Sequence, residues 1–327
     1  LGKKMVFYYN RAVNSANEEY ATFMNEWLLP DYPPHDFDPS LGEQKIVPSE
    51  SYLDFAMHWY AKSFEFRNRG VYWDNMFFRP SFNRAMTDAY AEGDRIVPAT
   101  GLWGLRELTR RTFRMMNEKG MRPITMSHMT STGILPMLSF CTVQYDWEWK
   151  YSTGDVQYRF PREYILLVST GELAGAWPVL LHDHGKQATD EWTQRTFVGV
   201  CLVHQLIGGG RGSAWKTLRD PVFEIMEKPD VVAWRYWDEG PQPIVAETGD
   251  LPTIVYAVPG KEAVAVLCSY SENTETTALK LDPKAMGFDG PVEVTDLESG
   301  KPYVVEDNRI RLEIPKHAVL GFKVMPE

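Results

Sequence analysis

Apolar positions keep helical spacing and then short runs over the first two thirds of the chain, and turn to dense short alternation near its end. Ser49 or Ser51 is placed to cap a helix predicted from Tyr52 to Arg69, with Gly70 as its left-handed stop and Val71-Tyr72-Trp73-Asp74 as a short strand behind it. Leu105, Leu108, Thr112, Met115 and Met116 then recur at helical spacing, Gly120 ends that helix, and Pro123 to His128 reads as the next strand. Helix, glycine, strand, twice over, predicts a parallel α/β sheet with right-handed crossovers. Further strands are expected at Met5 to Asn10, Phe140 to Trp149, Ala174 to Leu181 and Val231 to Tyr236. The apolar run from Phe197 to Ile207 is long enough to form a helix instead.

The connections Arg11 to Pro48 and Asn75 to Gly104 are long, and long ordered loops on one side of a parallel sheet usually build a binding face. A (β/α)8 barrel of the TIM type fits this better than an open sheet, because its active-site end is made of the loops that follow the strands. Only about six or seven strands precede residue 240, against the eight of that barrel. The expectation is therefore a barrel incomplete in this chain, finished by an upstream domain or a second chain. After Glu239-Gly240-Pro241 seven short strands are predicted: Thr253 to Val258, Ala263 to Tyr270, Thr276 to Leu281, Val292 to Asp296, Pro302 to Val305, Ile310 to Ile314 and Ala318 to Val324. Their spacing predicts an antiparallel β-sandwich over residues 244–327, with the barrel portion over 1–243.

Charge narrows the partners. With 34 Lys and Arg against 44 Asp and Glu, the formal charge is −10, which opposes a nucleic-acid backbone as the main partner. No stretch approaches the ~20 apolar residues of a membrane span, and no signal peptide is legible. The 11 Trp, 16 Tyr and 16 Phe suit stacking on neutral sugars as well as a large core. Cys141, Cys201 and Cys268 each sit in apolar runs and read as buried, inert thiols.

The run Gln144-Tyr145-Asp146-Trp147-Glu148-Trp149-Lys150 is the most informative for chemistry. If it is extended, Asp146 and Glu148 share one face, with Cα atoms roughly 6.5–7 Å apart. Two carboxylates so placed can divide labour, one protonated and one ionised, as glycoside hydrolysis requires. A strand with a solvated polar face over an aromatic core gives the same pattern. Asp74 closes its strand where a barrel delivers side chains to the site, although a turn-forming Asp fits there equally. His128 also ends a strand and could donate to a substrate hydroxyl, or serve a structural partner. His182 and His184 lack a third metal ligand by spacing, Gly208 to Gly212 lacks the remainder of a phosphate-binding motif, and no Gly-x-Ser-x-Gly elbow occurs.

Ala263 to Ser271, Pro291 to Lys301 and Ile310 to Leu320 resemble the β-sandwich that closes many barrel glycoside hydrolases. Upstream, Gly70 to Asn75, Ser127 to Thr130, Asp146 to Trp149 and Gly171 to Pro178 are similar in order and spacing to bacterial proteins related to glycoside hydrolase family 123. That resemblance implies a secreted or periplasmic barrel enzyme acting on β-linked 2-acetamido sugars, in which an Asp orients the acetamido group and a Glu protonates the leaving group. In the family pattern the acid pair is contiguous, whereas Trp147 separates it here. The resemblance implies Glu148 as the acid and Asp146 as the orienting carboxylate, with Asp74, His128 and Glu172 in supporting roles. Trp73, Trp147 and Trp177 are the candidate aromatic contacts to a carbohydrate, and neither a cofactor nor a metal is called for. The competing readings are a carbohydrate-binding or structural subunit, with Trp103 as a further stacking surface, and a polysaccharide lyase.

Overall fold

The structure, a computed structural model, describes residues 5–14, 16–29, 43–128, 134–145, 155–168, 175–181, 190–209 and 212–327. The chain divides into two compact units, residues 1–147 with 172–179, and residues 148–171 with 180–327.

The first unit opens with β1 (Met5–Asn10), β2 (Ala12–Asn14), α1 (Tyr20–Trp27) and β3 (Glu43–Lys45), followed by α2 (Glu50–Glu65) and β4 (Asn68–Asp74). The hairpin β5 (Tyr90–Glu92) and β6 (Arg95–Val97) precedes α3 (Leu102–Glu118), β7 (Thr125–Ser127), α4 (Leu135–Leu138), β8 (Val143–Tyr145) and β9 (Trp177–Leu181). Strands β1, β4, β7, β8 and β9 pair side by side in that order, all parallel. Tyr52, Ala56, Tyr60 and Phe64 form the buried stripe of α2, and Leu105, Leu108, Thr112 and Met116 that of α3. Both stripes join the sheet's Val71 and Trp73 in one core, the burial that holds amphipathic helices in place.

Gly120 stops α3 in the left-handed conformation, with φ +68°. Gly70 does not stop α2. That helix ends at Glu65 and the reversal is made by Arg67, at φ +66°. Gly70 lies inside β4, where a Cβ would come 2.5 Å from the Ile124 carbonyl oxygen, so its absence lets β4 approach the entry to β7.

The strand expected from Phe140 is shorter than its apolar run. Leu135–Leu138 coils into α4 with Pro136 in its first turn, Phe140 lies in the following turn, and pairing begins at Val143.

The second unit contains α5 (Val156–Arg159), α6 (Arg162–Val168), α7 (Glu191–Val203), β10 (Ile207–Gly209), a π turn at Trp215–Arg219 and α8 (Asp220–Met226). Asp190 caps α7 by accepting from the Thr193 amide at 2.8 Å, and the Phe197 run is helical through Val203. Gly208 and Gly209 lie in β10, the sixth strand in the order of the parallel sheet. Among the described residues that sheet has six strands.

Strands β11 (Val232–Trp234), β12 (Ile244–Ala246), β13 (Thr253–Val258), β14 (Glu262–Cys268), β15 (Glu275–Leu281), β16 (Val292–Asp296), β17 (Arg309–Ile314) and β18 (Val319–Pro326) complete the unit. They form an antiparallel sheet β11-β13-β14-β18-β16 and a smaller one β12-β15-β17. Val231 to Tyr236, counted above with the barrel, pairs antiparallel with β13 instead, through Val232 to Trp234. Pro302 to Val305 is no strand; Pro302 makes a single bridge to Thr295, because proline has no N–H to give a ladder.

Strands β13 and β14 are buried on both faces. Tyr256, Val264 and Val266 pack with α7 and α8, while Val255, Ala265 and Leu267 pack with Leu279, Ile310 and Ile314. Continuous apolar runs are what strands covered on both sides need. All three cysteines are free and buried, and burial pushes the Cys141 and Cys268 thiols up to about 12. No described helix is long and apolar enough to cross a membrane.

The close approach at Gly70 gives a direct test. Gly70→Val is expected to lower stability by about 1–3 kcal/mol, read from the denaturant midpoint, because the new side chain meets backbone rather than a movable chain end. An unchanged midpoint would contradict the packing described.

Candidate active site

Register assigns each side chain of the parallel sheet to a face. Tyr8 pairs with Tyr72, Tyr72 with Met126, Met126 with Val143 and Val143 with Trp177, forming one row. One row nearer the carboxyl ends, Asn10 pairs with Asp74 and Tyr145 with Val179, while His128 follows directly after β7. Because alternate residues share a face, these two rows look the same way. The row between them, Tyr9, Trp73, Ser127 and Gln144, looks to the opposite side.

That alternation decides the fate of Trp73. Its ring is only 2% exposed, and its indole N–H donates to the Tyr60 hydroxyl of α2 at 3.0 Å. Trp73 is therefore a core residue of the strand–helix layer and no contact for a carbohydrate. Trp177 is on the face of Asp74, one row below it, and is 53% exposed. Trp103 is also exposed, near the start of α3. Asp146, Trp147, Glu148 and Glu172 lie outside the described residues, as do His182 and His184.

Asp74 and His128 are brought together. His128 Nδ1 lies 3.0 Å from Asp74 Oδ1, within ion-pair distance although off the line of a straight hydrogen bond. The Asn75 amide donates to the same Oδ1 at 2.7 Å, and the Tyr8 hydroxyl donates to Oδ2. Burial by itself would raise the Asp74 pKa. The nearby His128, the Tyr8 hydroxyl and the Asn75 amide outweigh it, so the carboxyl is held below its ordinary 3.8. Tyr8 belongs to no motif; its signal was the alternation of Met5 to Asn10, which puts Tyr8 and Asn10 on one face.

The loop after β4 is tied to the end of β1 by amides and buried cations. Asn75 donates to Asn10 at 2.8 Å, Lys45 donates to the same Asn10 oxygen at 3.3 Å, and Arg11 donates to the Phe77 carbonyl at 2.7 Å. Arg79 lies over the Phe77 ring, 4.4 Å from its centroid. Arg11, Lys45 and Arg79 are all at least nine-tenths buried.

A cavity of about 540 Å³ lies beside β1 and α2, walled by Phe7, Tyr9, Tyr52, Phe55, Trp59 and Phe66. None of the residues singled out from sequence lines it. Among the described residues no group of three or more His, Cys, Asp or Glu is arranged to hold a metal.

Comparison with solved structures bears on what these strand ends belong to. A GH27 β-L-arabinopyranosidase from Geobacillus stearothermophilus superposes with TM-score 0.58 at 10% identity, over 99% of this chain and 74% of its own. A putative α-N-acetylgalactosaminidase from Bacillus halodurans gives 0.56 at 13%, over 99% and 75%. A noncanonic maltogenic α-amylase from Thermotoga neapolitana gives 0.54 at 11%, over 99% and 78%. These similar structures are barrel glycosidases with a C-terminal β domain, and this chain shares with them a parallel sheet followed by antiparallel sheets. No family model matches the sequence, and no curated protein matches it. In the barrel glycosidase fold, the carboxyl ends of the parallel strands, where Asp74 and His128 lie, are the end that carries active sites.

The depressed Asp74 pKa has a thermodynamic consequence with a defined sign. Folding favours the ionised form, so its contribution is complete above the unfolded value and is lost as pH falls through the folded one. Asp74→Asn is expected to cost stability near neutrality and to lose that cost as pH falls below the ordinary carboxylate value. Urea unfolding of both proteins across that range checks it; a difference independent of pH would contradict the ionised, hydrogen-bonded carboxylate.

Proposed function

We propose that the chain is a glycoside hydrolase acting on a glycan or oligosaccharide by carboxylate chemistry, without a cofactor. The observation that carries this reading is Asp74, an ionised carboxylate at the carboxyl end of a parallel strand in a chain with the barrel glycosidase fold. Glycoside cleavage develops positive charge at the anomeric carbon, and an anion fixed in place beforehand stabilises it without reorganising.

In this reading Asp74 faces the anomeric carbon. The proton for the leaving oxygen comes from Glu148 or Asp146, which follow Tyr145 by three residues and one. His128 and Glu172 line the sugar's site, and Trp147 and Trp177 stack on it. The titles of the similar structures name an arabinopyranosidase, a putative N-acetylgalactosaminidase and an amylase, and the resemblance to family 123 points to 2-acetamido sugars; these define the panel of substrates to screen.

Purified protein assayed against 4-nitrophenyl glycosides, including 2-acetamido sugars, tests the proposal. Asp74→Asn and Glu148→Gln are each expected to lower turnover by ~10²–10⁴-fold while leaving the circular dichroism spectrum intact. Full activity in Asp74→Asn removes this residue from the chemistry. Glycan binding by calorimetry with no sugar released would favour a binding protein instead.

A further inference from the structure

We infer that Tyr8 and His128 are positioning residues of Asp74, and that Oδ2 is the carboxylate oxygen presented to the substrate. The role of Oδ2 rests on the hydrolase reading above; the positioning does not.

A carboxylate offers about four acceptor positions, two on each oxygen. Oδ1 accepts from the Asn75 amide at 2.7 Å and has the buried His128 Nδ1 beside it at 3.0 Å. Among the described residues Oδ2 has one donor, the Tyr8 hydroxyl, which leaves it an acceptor position. Tyr8 is 59% exposed while His128 is 1% exposed, which makes the Oδ2 side the open side of the carboxylate.

Tyr72 keeps Tyr8 and His128 apart. Its ring stacks on Tyr8, with centroids 5.5 Å apart and planes 23° apart, and lies 5.7 Å from the His128 ring. Tyr145 closes the group from β8, at 5.4 Å from Tyr72 and 6.0 Å from His128. Tilting the carboxylate out of its plane would break contacts to three different strands or strand ends, so that plane is held, with one oxygen position against His128 and the other on the Tyr8 side.

Among the described residues, the titratable groups facing Asp74 are Tyr8 from β1 and His128 after β7. Tyr72 and Tyr145 pack on the imidazole, and Lys45 and Arg79 reach the neighbouring amides of Asn10 and Asn75. Among the described residues neither ring nitrogen of His128 has a hydrogen-bond partner, so the imidazole is held by packing and by its closeness to Asp74.

The test needs no substrate. Urea unfolding of wild type, Asp74→Asn, Tyr8→Phe and the double variant is followed as pH falls, and the pH at which the Asp74→Asn difference closes is compared in the two backgrounds. Removing the Tyr8 hydroxyl is expected to raise that pH by about one unit, since one donor to the anion is gone. A merely structural role for Tyr8 would change stability but not this pH. Where wild type cleaves a nitrophenyl glycoside, Tyr8→Phe and His128→Asn are expected to lower kcat by at least about tenfold, with KM changed little and the acid limb moved upward. A closing pH that stays in place, together with an unmoved acid limb, overturns the inference. If His128→Asn does not fold, Tyr8→Phe decides alone. An active Asp74→Asn removes Asp74 from the chemistry, and with it the role given to Oδ2, and leaves the stability test of the positioning intact.

Discussion

A carboxylate taken mostly out of water stays ionised only if donors replace the water it has lost. At Asp74, with 14% of its side chain exposed, two donors and an imidazole from three places in the chain meet that need: the Tyr8 hydroxyl from β1, the Asn75 amide from the turn after β4, and His128 within ion-pair distance from the end of β7. Each is in place because the strands are parallel and in register. A slip of one residue in β4 would turn Asp74 toward the helices and bring Trp73 to the other face. The chemistry proposed for this chain therefore depends on the same pairing that buries its core.

The two faces of β4 show how one short strand serves both ends. Val71 and Trp73 enter the core with α2 and α3, where the Trp73–Tyr60 hydrogen bond satisfies two buried polar atoms. Tyr72 and Asp74 look the other way, into the cluster of Tyr8, His128 and Tyr145. Gly70 lets the strand lie against the entry to β7, the neighbour that ends in His128. Packing on one face fixes geometry on the other.

Much of this was legible from the chain. Met5–Asn10, the helix stopped by Gly120 and most of the C-terminal strands follow from periodicity and turn residues, which are local signals. Gly70 misled because glycine marks both a helix stop and a close backbone approach, and only the neighbouring strand tells them apart. Val232–Trp234 was assigned to the barrel because an apolar run carries no label for its partner. Trp73 adjoins Asp74 in sequence, but adjacent residues of a strand point apart, so the expected carbohydrate contact is a core residue. Asp74 and His128 were visible as polar ends of apolar strands. Tyr8 was not, since its role arises from pairing across 66 positions of chain. The expected pair Asp146 and Glu148 lies outside the described residues, so its role rests on the sequence alone.

The central claim is that Asp74 is an ionised carboxylate in the folded protein well into acid. Its carboxyl carbon can be followed by NMR in protein labelled at aspartate, with Asp74→Asn supplying the assignment. The account predicts a titration midpoint below the ordinary 3.8, and a midpoint at or above that value would contradict it.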